Sequence, residues 1–224
     1  MKPSLFAHPI SAPARHVPSS RRLSALPALA ALALATVLTG CASRLPNPTL
    51  YVLHSAPPVE AQRQAQTLAV NSPEVSAAPW QLVLPVRLPA YLDRNALLLP
   101  EGANGVQPSL THRWAELLSS SVPRVLTQDL TALRGAGSVW SAPLPAGLVL
   151  KGQLRVEIVA LDVAANGPAV TLSARWSTVA APAAPRAHTL SLTVPSRSMD
   201  AASLVGAHRL ALWQLAQAIA KTLD

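Results

Sequence analysis

The sequence predicts an α+β fold: a mixed, mostly antiparallel sheet with two long helices packed on one face. Three observations carry that expectation. Residues 148–163 alternate, with Leu154, Val156, Ile158 and Ala160 set against Arg155 and Glu157, the period of two of a half-buried strand. Asn166-Gly167 then reads as a hairpin turn, and residues 169–179 return with Val170, Leu172, Ala174 and Trp176 on one face. Two other stretches, 112–133 and 200–223, place apolar residues at steps of three and four, the period of a helix. Only two helices accompany many strands, and no G-x-G-x-x-G or phosphate loop occurs, so a doubly wound nucleotide fold does not fit.

Residues 1–40 precede this pattern and have a different chemistry. Lys2, Arg15, Arg21 and Arg22 form a cationic region without an acid, and residues 23–38 form an apolar run. That is the layout of a secretory signal. It closes on Leu38-Thr39-Gly40-Cys41, a Leu, two small residues and the chain's one cysteine, which is the pattern of a bacterial lipoprotein signal. Cys41 is thus the expected lipidation site: the thiol takes a diacylglyceryl group, the chain is cut before it, and the new terminus is acylated. Several acyl chains give durable anchoring where one gives only marginal binding. Residues 23–38, interrupted by Pro27, fall short of the roughly 20 needed to span a bilayer. A buried thiol is disfavoured by the proline-rich sequence that follows, and Arg21-Arg22 lacks the rest of a twin-arginine motif. Ala42 stands where many inner-membrane lipoproteins carry Asp, which points to the outer membrane, facing the periplasm.

Composition bounds the rest. The chain has 224 residues and a formal charge of +8, but four basic residues belong to 1–40. Without them, 14 Lys and Arg face 10 Asp and Glu, a net +4. Those cations are scattered and have no aromatic platform between them, so no nucleic-acid groove is expected. With no second cysteine, an exported domain has no internal disulfide and depends on its core. Residues 41–49 read as lipid anchor and proline-rich tether, and 50–224 as a single domain of ordinary size.

Within that domain, residues 50–54 read as a short strand and 56–79 as an Ala/Pro/Gln/Ser loop. Residues 80–88 read as a strand that Pro85 places at an edge or bulge. The chain turns over 89–94, makes an apolar strand over 96–99, and turns again over 100–105. The helix over 112–133 ends at Gly135. Pro123 predicts a kink or break in it, with Ser121 capping a second piece. After the hairpin a third strand is expected over 188–194, and Asp200 or Ser198 caps the last helix.

Candidate groups for chemistry are sparse. His54, His112, His188 and His208 show no metal-ligand spacing, and Ser119, Ser120 and Ser121 have no partner base in sequence. No enzyme, cofactor or metal is therefore expected. The sharper candidates are Tyr91, Asp93 and Arg94 in the 89–94 turn, and Arg113 with Trp114 on the expected helix. Each is read either as a partner contact or as core and turn-capping residues, with Arg113 able to pair with Asp93 or Glu116.

These segments, in order, resemble the PqiC-like ABC-transport auxiliary lipoproteins. The residues that carry the resemblance are the lipobox, Tyr51-Val52-Leu53, Leu84 through Arg94 with its Pro-x-Tyr-Leu-Asp-Arg, His112-Arg113-Trp114-Ala115-Glu116-Leu117-Leu118, and the ending from Leu204. The strand Asn95 to Leu99 and the insert at 56–79 depart from the family pattern. The resemblance implies an outer-membrane lipoprotein that docks or braces an MCE-domain protein and an ABC transporter in moving lipids between membranes, itself a homo-oligomer. The alternative class is a structural envelope lipoprotein that assists assembly of an outer-membrane machine. A lipid-binding role and a periplasmic hydrolase are the remaining readings.

Overall fold

The computed structural model describes residues 47–54 and 78–223; the expected signal, Cys41 and nearly all of the 56–79 loop lie outside them. The elements are β1 (Thr49–Tyr51), β2 (Trp80–Leu82), β3 (Ala96–Glu101), β4 (Gly105–Trp114), α1 (Leu118–Arg134), β5 (Val139–Ser141), β6 (Gly152–Val163), β7 (Ala169–Val179), β8 (Arg186–Pro195) and α2 (Ala201–Ala220). The fold is α+β, with its strands divided between two sheets rather than gathered in one. A three-stranded sheet runs β1-β4-β3, and a five-stranded sheet runs β5-β2-β6-β7-β8.

The hairpin expected across Asn166-Gly167 is the spine of the larger sheet. Val163 pairs with Val170 and Leu154 with Thr178, with one irregularity between Ile158 and Ala160. That register turns Leu154, Val156, Ile158 and Leu161 to the same side as Val170, Leu172, Ala174 and Trp176, and all eight are buried. Burying one such aliphatic side chain contributes about 1.5–3 kcal/mol, so a slip by one residue would be prohibitive. β8 continues the meander antiparallel to β7, while β2 lies parallel to both β5 and β6. Gly152 opens β6 because no larger residue fits: a Cβ there would lie 2.4 Å from the Val179 carbonyl and 2.7 Å from the Trp80 ring.

Both helices cover the buried face. α2 supplies Ala211, Leu212, Leu215, Ala216 and Ile219 to one core with α1's Leu118, Val122, Val125, Leu126 and Leu130. Of the two N-cap candidates, Asp200 takes the position, accepting from the Ser203 N–H at 2.9 Å, while Ser198 donates to Asp200.

Four expectations need correction. The helix over 112–133 begins only at Leu118; residues 105–114 are a strand, so Arg113 and Trp114 are not helical. Trp114 matched the helical spacing because a strand residue facing the core is as buried as a helical one. The backbone decides it: Trp114 N–H bonds Asn95 O at 2.5 Å and Ala115 N–H bonds Tyr51 O at 2.8 Å. Pro123 does not break α1, whose N-cap is Leu117 and not Ser121. Near the first turns the missing N–H removes only one helical bond. The 80–88 strand shortens to Trp80–Leu82, since the chain bends at Pro85 and rejoins β6 by an isolated bridge from Arg87 to Glu157. Finally, β6 starts at Gly152, not at 148, and β5 was not expected, three residues being too few to show a period.

Candidate functional site

The 89–94 turn is built from the inside outward. Ala90–Leu92 form a single 3-10 turn whose Leu92 is buried. Tyr91 is half-buried beside it, and its hydroxyl donates to both Asp162 carboxylate oxygens at 2.9 Å. Burial, then the Asp162 carboxylate, pushes the tyrosine's pKa well above its ordinary value; burial likewise raises that of Asp162, against the Tyr91 bond. Tyr91 therefore pins the turn to β6. Asp93 is exposed and accepts from the Ser119 hydroxyl at 2.7 Å, tying the same turn to the start of α1.

Arg94 follows, exposed. Arg113 is also exposed and pairs in register with Ala96, so Arg94, two positions before Ala96, lies in the bend that leads into the strand beside Arg113. Its two expected partners are otherwise engaged. Glu116 forms an ion pair with Arg124, whose guanidinium also reaches the Leu53 carbonyl at 3.1 Å. Trp114 is buried and meets the His208 ring edge-on, centroids 5.4 Å apart. The turn thus collects Tyr91, Asp93 and Arg94, leaves Arg113 nearby at the surface, and places Trp114 in the core.

A second region has no counterpart among the sequence candidates. On the open face of the larger sheet a groove of about 400 Å³ is lined by Arg87, Arg155, Glu157 and Arg175 with Leu84 and Pro85. Glu157 and Arg175 form a two-point ion pair, 2.7 and 3.0 Å, which holds the glutamate's pKa below its ordinary value. The alternation over residues 154–158 puts Arg155 and Glu157 on the solvent side. Their cross-strand neighbours could not be read without the register that joins Glu157 to Arg175.

Among the described residues the interior holds one charged cluster. Arg209 of α2 grips Asp129 of α1 through two bonds, 2.9 and 2.5 Å, and donates from Nε to the His54 carbonyl at 2.7 Å. Burial raises the Asp129 pKa to about 6, the Arg209 fork pulling the other way. His208 is buried, its pKa lowered to about 4 by desolvation; its neutral ring donates from Nδ1 to the Leu204 carbonyl at 2.8 Å.

Of the other imidazoles, His54 is exposed, His112 lies 3.3 Å from the Tyr51 hydroxyl, and His188 stacks on Trp176 at 5.3 Å. Among the described residues no imidazole bonds a serine or a carboxylate, and no group of three His, Cys, Asp or Glu is placed to hold a metal. No described helix is long and apolar enough to cross a membrane. What the surface offers is recognition by charge and shape.

Comparison with known proteins agrees with this architecture. A family model described as ABC-type transport auxiliary lipoprotein component matches residues 51–220. No curated protein matches the chain. Among solved structures, one titled only as an uncharacterized protein is 17% identical, with a TM-score of 0.61 over 80% of this chain and 99% of its own. Protein XCC0632 from Xanthomonas campestris is 15% identical, with a TM-score of 0.57 over 78% of this chain and 95% of its own. At such identities the likeness is one of fold.

Proposed function

Because the chain belongs to the family of ABC-type transport auxiliary lipoprotein components, we propose that it is the outer-membrane-anchored, periplasmic accessory subunit of an ABC/MCE-type system that moves lipids between membranes. It docks or braces that machine and performs no chemistry of its own. The single observation behind this reading is the family match over residues 51–220 in a chain whose lipobox ends at Cys41, ten residues upstream of the match. In support, the described surface carries exposed charge at Arg94, Arg113 and the arginine groove, while its buried charges are consumed in structural pairs. The partners are an MCE-domain protein, the permease and ATPase of the transporter, and further copies of the chain itself. Asp93, Arg94 and Arg113 are the contact candidates that remain at the surface.

Purification of the tagged, lipidated protein in mild detergent tests this reading. It should bring down an MCE-domain protein, and Arg94→Glu with Arg113→Glu should weaken that recovery without lowering the melting temperature. Recovery of the lipoprotein with no MCE-domain partner would remove the transport assignment.

A further inference from the structure

We propose that the small sheet β1-β4-β3 rests on the membrane surface, its exposed leucines and valines entering the interface and Arg94 and Arg113 meeting anionic headgroups. This rests on the anchoring through Cys41 proposed above, and adds to it an orientation and a second contact.

The first support is the short stretch of sequence between Cys41 and the small sheet. β1 is the first element after the tether, and Leu50 is its second residue. Leu50 comes nine positions after Cys41, so an extended tether lets it stand at most about 30 Å from the lipidated residue. β1 of the small sheet is thus the described element nearest in sequence to the proposed anchor.

The second support is what that sheet exposes. Leu110 is 79% exposed and Leu50 61%, with Val106 at 46% and Val52 at 41%, and all four lie on β4 or on β1 and the residue after it. Other exposed apolar residues, such as Val149 at 76% and Val159 at 46%, are scattered over other parts of the domain, whereas these four share one small sheet. β1 covers β4 only over His112–Trp114, which leaves Val106 and Leu110 where β4 has no neighbour on that edge.

The third support is charge. Leu50 pairs in register with Arg113, so the two side chains share a face, and Ala96 on the other side of Arg113 follows Arg94 by two residues. β1 and β4 contain no acid, and the sheet's one acid, Glu101, lies at the hairpin tip. Apolar side chains flanked by arginines suit an interface of acyl chains beneath anionic headgroups. Because the lipid anchor already supplies a high local concentration, even a contact too weak to recruit a free protein would orient the tethered one.

Spin labelling tests the proposal in the full lipidated protein. Acylation consumes the chain's one native thiol, so a single introduced cysteine carries the nitroxide: Leu50→Cys and Leu110→Cys on the small sheet, and Thr189→Cys on β8 as reference. In vesicles of phosphatidylethanolamine with phosphatidylglycerol, the labels at 50 and 110 should gain access to oxygen and lose access to a water-soluble nickel chelate, while the label at 189 keeps the reverse preference. Arg94→Gln with Arg113→Gln should return the first two labels toward water. Labels at 50 and 110 as open to nickel as the one at 189 would overturn the proposal. So would labels shielded from both reagents, the sign of a protein contact by a second copy, a partner or the chain's own 55–77 segment. Flotation with the vesicles separates the two readings: protein that does not float defeats the anchoring, whereas floating protein with wet labels defeats only the orientation.

Discussion

His208 shows how a residue type suited to function becomes part of the core. It lies on α2 facing Trp114, four residues after the carbonyl it bonds, and burial lowers its pKa from 6.5 to about 4. Between those values the unfolded chain binds more protons than the native one, so this group makes stability fall as pH falls through that window. Asp129 works in the opposite sense: its pKa rises from 3.8 to about 6, so between those values the native state holds the extra proton and gains as pH falls. The two effects offset each other in the wild type. Subtraction of a His208→Gln variant isolates the histidine. Relative to the variant, wild type should lose about 3 kcal/mol between pH 7 and pH 4, since each tenfold drop in proton affinity on folding costs about 1.4 kcal/mol. Urea unfolding at a series of pH values measures the difference, and a difference independent of pH would mean that His208 does not titrate there. Helical spacing sets His208 between the buried Leu204 and Leu212, but its ring neighbour Trp114 is on a strand far away in the chain and could not be read from the sequence.

At the scale of elements, the long alternating strands were legible and the short or interrupted ones were not. β6 and β7 bury one face each and declare it in their pattern, and α2 has enough apolar residues for its helical period to show. β4 does not, because its outer half buries nothing: Val106, Pro108 and Leu110 are all exposed, and its one deeply buried residue is Trp114. With the strand signal gone, Trp114 fell into step with Leu117 and Leu118 of the following helix. The link between the two helices was equally hidden, since pairing Asp129 with Arg209 takes the tertiary fold. That link is predicted to be costly to cut. Asp129→Asn removes the carboxylate that the buried Arg209 guanidinium grips, and about 3 kcal/mol or more of stability should be lost. Replacing both, Asp129→Leu with Arg209→Met, removes the charge together with its partner and should be more stable than Asp129→Asn alone. Chemical denaturation of the three proteins decides it; a double variant weaker than the single one would show that Arg209's other contacts, including His54, matter more than the ion pair.

For the molecule as a whole, the candidate site was legible only where a motif carried it. Pro-x-Tyr-Leu-Asp-Arg marked the 89–94 turn, yet the fold spends Tyr91 on Asp162 and Asp93 on Ser119, and leaves Arg94 with Arg113 outside. The arginine groove had no motif, being assembled from the 83–87 segment and three strands. The division of the strands into two sheets was hidden for the same reason: β1 and β2 have three residues each, and their parallel partners are remote in sequence. Across the described domain the buried charges are paired for structure, so the proposed function depends on where the domain is held. The proposed anchor at Cys41 can be tested apart from the fold. A Cys41→Ser variant removes the proposed acyl acceptor, which lies outside the described residues. It should therefore match wild type in melting temperature and in circular dichroism, appear in the soluble periplasmic fraction, and fail to restore envelope integrity in cells lacking the protein. Fractionation, melting and complementation together decide the matter, since loss of function with a lowered melting temperature would mean misfolding. Full complementation by a soluble, well-folded Cys41→Ser protein would show that the domain reaches its partners without the membrane, and anchoring would then have no part in the mechanism.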